Sequence, residues 1–317
     1  MKLITYERGV ERRIGALVDG HVVDLCRAYS FLLMERGVGR AAQRAALLLP
    51  QDMVELLDGG EESLAAARAA VARVGERLSS SAEALRREGL LYELAEVTLC
   101  APLPRPRKLL LLGFNYRGHA VESGGGEPEQ PVLLTKFPSV VIGPGAPIRM
   151  PRFTQRLDWE AELAVVIGRG GRDIPAERAY EHIVGYTLLN DVSAREVHRE
   201  RGQWLLNKSL DTFAPLGPWL VTKDEVGEPQ NLRIQGFLNG MAIQDSNTRQ
   251  MIFPIDRIVS FISERFTLEP GDVISTGTPE GVGGMRNPPI FLKPGDVVQV
   301  VVEKIGTLEN PVSGAPW

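Results

Sequence analysis

An α+β fold built around a β-rich core is what this sequence predicts, together with a small β-rich N-terminal domain. Three observations carry that prediction. Short β-branched runs recur along most of the 317 residues, helical apolar spacing is concentrated in one early stretch, and the βαβ rhythm of a doubly wound sheet is absent. The length also exceeds one compact core, which favours a large domain plus a smaller one.

Residues 1–25 read as short strands. LITYE and RIGALV flank a charged turn, and HVVDL follows Asp19-Gly20. From about Asp52 to Leu94 the apolar residues fall at helical spacing, interrupted at Gly59-Gly60 and at Ser79–Ser81, and these helices are expected to cover the N-terminal strands. The segment APLPRPRK (101–108) carries three prolines, which neither continue a helix nor pair within a central strand. It divides a domain of residues 1–100 from one of residues 101–317. Beyond it the strands KLLLLGF, WEAELAVVIG, RIQGFLNG, DVISTG and DVVQVVVEKIG are expected, with helices at 176–184 and 254–265. Two turns of one form, Glu269-Pro270-Gly271-Asp272 and Lys293-Pro294-Gly295-Asp296, each lead into a β-branched run.

Composition narrows the function. With 36 Lys and Arg against 40 Asp and Glu, the net charge is -4 and no dense basic patch is visible, so neither nucleic acid nor an anionic membrane is the expected partner. A small-molecule substrate fits better. Cys26 and Cys100 have no CxxC or His-spaced partner, which argues against a disulfide scaffold and a thiolate metal site. The N-terminus alternates apolar and polar residues and no stretch is apolar enough to span a bilayer, so a cytoplasmic protein is expected.

Glu160 and Glu162 stand at i and i+2 in WEAELAVVIG, so on a strand both carboxylates leave the same face. An exposed edge strand wearing negative charge is the plainer alternative. The apolar continuation LAVVIG speaks against it. Asp191 follows the apolar run VGYTLLN and can converge on the pair. Three hard oxygen ligands suit Mg²⁺, Mn²⁺ or Ca²⁺ better than Zn²⁺. Lys208, set among apolar residues in LLNKSLDTF, is a candidate for steadying an enolate oxygen or a substrate carboxylate, the alternative being a surface pair with Asp211. His119 and Glu122 are three residues apart, one helix face if the segment is helical, and could form a general-base dyad. A solvated helix face would carry the same pair. The triplet Gly124–Gly126 behind them would suit a lid. In STGTPEGVGG (275–284), backbone N–H groups and Thr278 could approach a substrate carboxylate, or the loop could simply join strands.

Taken together, GFNYRGHAVE, KFPSVVIGPGAPI, DWEAELAVVIG, LLNDVSAREVH, NKSLDTFAPLGPW, IFPIDRIVSFIS and STGTPEGVG resemble, in order over about residues 105–312, the fumarylacetoacetate hydrolase family. The first hundred residues resemble the cap domain of bacterial members. The resemblance implies a mixed β-roll core, usually a homodimer, with Mg²⁺ or Mn²⁺ on Glu160, Glu162 and Asp191. It implies that Lys208 meets substrate or activated water, that His119 and Glu122 form a dyad on a lid, and that Tyr116, Arg195 and Thr278 position the substrate's polar head. One position departs from the family pattern: His198 stands where a substrate-orienting glutamine is usual, which touches the reaction subtype.

The leading expectation is hydrolytic C–C cleavage of an acylpyruvate or related β-diketo acid of the fumarylpyruvate or acetylpyruvate type. The alternative is an isomerase, decarboxylase, tautomerase or dehydratase acting on a 2-keto or 2-hydroxymuconate-type acid on the same scaffold. A catalytically silent keto-acid binding protein is the third reading. Trp204, Leu205, Leu206 and the segment FPSVV are candidates for the wall around the substrate tail.

Overall fold

A computed structural model describes residues 1–196 and 203–314. The first hundred residues form β1 (Lys2–Arg8), β2 (Glu11–Val18), β3 (His21–Asp24), α1 (Leu25–Glu35), α2 (Ala41–Leu48), α3 (Met53–Asp58), α4 (Gly60–Arg87) and β4 (Leu91–Glu93). The two interruptions expected from the sequence are both present. Gly59 ends α3, and α4 bends where Ser81 leaves helical geometry at φ -146°. Helices α1 and α2 were not expected. Asp24 caps the first of them by accepting from the Arg27 N–H at 2.9 Å.

The remaining strands of three or more residues are β5 (Leu109–Gly113), β6 (Val132–Thr135), β7 (Ala161–Ile167), β8 (Ile183–Asn190), β9 (Ala214–Thr222), β10 (Arg233–Leu238), β11 (Met241–Asn247), β12 (Val273–Ser275), β13 (Val297–Val302) and β14 (Gly306–Ser313). They build a mixed β-roll: one sheet in the order β4-β3-β2-β1-β9-β8-β7-β12-β5-β6 and a second in the order β11-β10-β13-β14. The large sheet does not stop at the proline-rich segment. β1 pairs antiparallel with β9, Leu3 opposite Leu220. On one face of its N-terminal end, Leu3, Ile14, Ala16 and Val23 pack against Leu56, Ala67, Ala70 and Val74 of α3 and α4. Each fully buried large aliphatic side chain there contributes about 1.5–3 kcal/mol.

The helix expected at 176–184 is shorter. A single turn and a four-residue helix, Ala179–His182, give way at Ile183 to β8, whose β-branched and aromatic residues are all buried between two neighbouring strands. The expectation at 254–265 is met by the helix Ile255–Arg265, which buries Ile255, Ile258, Val259 and Ile262 at i, i+3, i+4 and i+7 spacing. The two Pro-Gly-Asp turns have one geometry. Gly271 and Gly295 sit at φ +84° and +94°, and Asp272 and Asp296 each accept from the first turn residue's N–H, at 2.8 and 2.7 Å. Among the described residues no helix is long and apolar enough to cross a membrane.

Candidate active site

The metal-ligand candidates meet because β7 and β8 run antiparallel. Ala161 lies opposite Asn190, so the residues flanking the start of β7, Glu160 and Glu162, face the residue just past the end of β8, Asp191. The Asp191 N–H donates to the Glu160 carbonyl at 2.9 Å, and the Asn190 side chain accepts from the Glu160 N–H at 3.1 Å. β7 is no edge: it is paired on both sides, and every residue in it is buried. One oxygen from each of the three carboxylates lies within 4.8 Å of the others, and all three side chains are buried.

Charge bookkeeping around them supports a cation. Asp158, Glu160, Glu162 and Asp191 face Lys136, Arg195 and Lys208, four carboxylates against three cations. Lys208 Nζ donates to Glu160 Oε2 at 3.0 Å, to Asp191 Oδ2, and to Ser193 Oγ at 3.0 Å, and makes no pair with Asp211. Arg195 donates to Asp158 and Glu160, each at 2.7 Å. Burial alone would raise Glu160, but Lys208 and Arg195 outweigh it and hold the carboxyl at about 2. Burial likewise opposes the Lys208 ammonium, yet Asp191 and Glu160 push it up to about 12. Glu162 lacks such a cation: burial, then Asp191 and Glu160, drive it well above the usual carboxylate range. Its Oε2 accepts from Ser275 Oγ and from the Gly277 N–H at 3.0 Å, leaving Oε1 for another partner. Three hard oxygens and an under-compensated Glu162, whose ionisation would leave one excess negative charge, fit a divalent cation.

The dyad stands on α5 (Arg117–Glu122). His119 Nδ1 is 2.7 Å from Glu122 Oε1, and Glu122 Oε2 accepts from the Gly281 N–H at 2.9 Å. The turn before α5 bends through Phe114 at φ +54°, unusual for a bulky residue. Asn115 fixes that turn by donating to the Thr276 and Phe253 carbonyls at 2.8 and 3.1 Å and accepting from the Phe253 N–H at 2.9 Å. The Phe114 ring then stacks on His119, with centroids 5.8 Å apart, and meets the edge of Trp204 at 6.3 Å.

His119, Lys208, Arg195, Thr278 and the three carboxylates all line one cleft. Tyr116 does not reach it; the ring is fully buried in the core, beneath the start of α5. His198 lies outside the described residues. Of the tail-wall candidates, Trp204 lines the cleft, whereas Leu205, Leu206 and FPSVV do not; Leu112, Phe114, Leu134 and Met285 complete the apolar lining. The glycine-rich loop departs from its substrate-binding expectation. Its N–H groups are taken by the protein's own carboxylates, Gly277 by Glu162, Gly281 by Glu122, and Gly283 and Gly284 by Asp158 at 2.7 and 2.8 Å. Buried carboxylates need donors, and this loop supplies them. Thr278 is also engaged, donating to the Ala161 carbonyl and accepting from Gln244.

Lys136 was missed. Its side chain is fully buried, with Nζ donating to the Val192, Lys208 and Phe213 carbonyls at 2.6–2.8 Å and lying 2.8 Å from Asp191 Oδ1. Burial pulls its ammonium down to about 8, with Asp191 opposing. The only sequence signal is a lysine in an otherwise apolar and small-residue stretch, TKFPSVVIG.

A mixed β-roll that buries three carboxylates beside a lysine and a His–Glu pair defines an enzyme. The chain belongs to the fumarylacetoacetate hydrolase family: the profile of the fumarylacetoacetate (FAA) hydrolase C-terminal domain matches residues 108–313. A mitochondrial oxaloacetate tautomerase of Xenopus laevis is 44% identical over 266 residues, covering 83% of this chain and 79% of the relative. A fumarylacetoacetate hydrolase from Exiguobacterium antarcticum superposes with a TM-score of 0.79 at 33% identity, over 99% of this chain and 100% of the other. The maleylpyruvate hydrolase of Sphingobium sp. SYK-6, solved with manganese(II) and pyruvate, superposes with a TM-score of 0.70 at 28% identity over the full length of both chains.

Proposed function

We propose that this protein is a divalent-cation-dependent keto–enol tautomerase acting on oxaloacetate or a similarly short 2-keto diacid. The observation that carries this reading is the 44% identity to an oxaloacetate tautomerase across 83% of the chain. Hydrolysis, the leading expectation from sequence, thereby gives way to the isomerase and tautomerase alternative.

The site's chemistry supports it. Mg²⁺ or Mn²⁺ held by Glu160, Glu162 and Asp191 would supply Lewis-acid polarisation of the 2-keto group. Glu122, by holding Nδ1–H of His119, leaves Nε2 free to take the proton from C3 of the keto form and to return one to carbon in the reverse direction. Lys208, held charged by its two carboxylates, is no base; it offsets the negative charge that develops on the C2 oxygen. Arg195 and Thr278 keep Glu160 and the start of β7 in register. Leu112, Phe114 and Trp204 exclude bulk water.

A second reading, hydrolytic cleavage of an acylpyruvate, is favoured by the full-length likeness to a hydrolase that binds manganese and pyruvate. There the same imidazole would take a proton from water. The test is to follow loss of enol-oxaloacetate and cleavage of acetylpyruvate and fumarylpyruvate side by side, with blanks containing metal alone, before and after EDTA. EDTA-sensitive tautomerisation well above hydrolysis is expected. Faster hydrolysis selects the second reading, and metal-independent turnover overturns both. The homodimer belongs to the same proposal and is read by light scattering.

A further inference from the structure

Substrate carboxylates need donors, and most donors at this cleft are engaged elsewhere. The glycine-loop N–H groups serve Glu162, Glu122 and Asp158; Arg195 bridges Asp158 and Glu160; Thr278 is bonded to Ala161 and Gln244; Lys208 is held by Glu160, Asp191 and Ser193. One polar side chain on the wall stands apart. Asn207 lies on the helix Trp204–Lys208, is 3% exposed and borders the cleft. Its Oδ1 is buried with no hydrogen-bond partner among the described residues.

A buried amide oxygen without a partner is rare in a folded protein and marks a place where a ligand or ordered water completes the structure. Position on the helix agrees. Asn207 follows Trp204 by three residues, so both share the helix face that borders the cleft, with Lys208 next along the chain on the carboxylate cluster. Two other lining atoms are in this condition among the described residues: Asp191 Oδ1, which lies 2.8 Å from the Lys136 ammonium, and Ser123 Oγ, of a partly exposed residue just past α5. A side-chain amide carries two N–H donors and an acceptor, and a half-turn of its terminal bond exchanges them. It can therefore donate to a carboxylate without adding charge to a site already crowded with ions.

We propose that Asn207 is a specificity-determining residue whose amide binds the second carboxylate of a short dicarboxylic keto acid. This rests on the reading of the site as a keto-diacid tautomerase and deepens it. Lining the rest of that wall with Leu112, Phe114, Leu134 and Trp204 leaves Asn207 as the group that distinguishes a diacid from a keto acid with an apolar tail.

The experiment compares Asn207→Ala and Asn207→Asp with the parent enzyme, using Mg²⁺ throughout. Oxaloacetate carries the second carboxylate; phenylpyruvate does not. Asn207→Ala is expected to raise KM for oxaloacetate about tenfold, the loss of one hydrogen bond to a charged group, with phenylpyruvate tautomerisation within twofold of the parent. Asn207→Asp, with no donor and a repelling charge, is expected to raise it further. An equal change on both substrates, or none on either, overturns the assignment. Calorimetric titration with oxalate and with fresh oxaloacetate separates this from the tautomerase reading: if the parent does not turn oxaloacetate over, that reading fails. Weaker oxaloacetate binding in Asn207→Ala with oxalate binding unchanged would still support Asn207. Unchanged oxaloacetate binding would sink it.

Discussion

The carboxylate wall and the helix α5 border the same cleft, but they hold their reactive groups by different means. Glu160, Glu162 and Asp191 sit at the facing ends of two central strands, buried, and are fixed by Lys136, Arg195, Lys208 and the Gly277 N–H. α5 has six residues and a half-exposed outer face that includes Val121. Its seat on the loop is the bond from Gly281 to Glu122, together with Gly118 lying against the Glu280 carboxylate. The wall is preorganised by a charge network, whereas α5 depends on a few contacts to bring His119 to bear. Binding and proton transfer should therefore fail separately.

Removing a wall ligand breaks that separation most completely. Asp191→Ala is expected to abolish divalent-ion binding by calorimetry and to lower kcat/KM on the order of a thousandfold or more, because Lys136 loses its carboxylate partner and Lys208 one of its two as well. If the variant keeps both ion affinity and activity, the wall is not a metal site. His119→Asn is expected to cost about a hundredfold in kcat while oxalate and ion affinities stay at parent values. Parallel loss of binding and rate would erase the distinction between wall and helix.

Much of the wall was readable in sequence because its ligands lie in short, strongly patterned segments. Glu160 and Glu162 alternate within one apolar strand, and Asp191 ends another. The dyad was readable for the same reason, since i and i+3 on one helix fix its geometry. What was not readable is held by distant partners. Lys136 reaches carbonyls near residues 192, 208 and 213, and Asp158 binds Gly283 and Gly284; no local pattern reports such pairings. The substrate roles expected of Tyr116 and the glycine loop went astray similarly. A tyrosine before a helix looks alike whether its ring points to the core or the cleft, and a glycine loop looks alike whether its N–H groups meet substrate or the protein's own carboxylates. The helices α1 and α2 were missed through the short apolar runs LLME and AALLL, which carry no clear period of their own.

Two smaller effects sharpen the comparison. Because Glu162 holds its proton well above the usual carboxylate range, ion binding must displace that proton. Divalent-ion affinity is therefore expected to fall as pH is lowered and rise as it is raised, with the released proton seen as a buffer-dependent heat in calorimetry. A pH-independent affinity would mean that Glu162 is already ionised. Finally, Gly118→Ala would force the Glu280 carboxylate aside under α5. A drop of about threefold to tenfold in kcat is expected, near 1 kcal/mol, with ion affinity unmoved. No change would show that α5 is seated by Glu122 alone.

The pairing of β1 with β9 has a consequence for biosynthesis. During translation, β1 can join β2, take Thr98 and Leu99 along the far half of its other edge and pack against α3 and α4, but on that edge Lys2 and Leu3 must wait for residues 221 and 220. At ordinary ribosomal speed that delay is on the order of ten to forty seconds. Throughout it, part of a β-strand edge stays open to any passing chain. The nascent first hundred residues are thus the stage at which this protein most needs protection from aggregation, well before any catalytic group has been made functional.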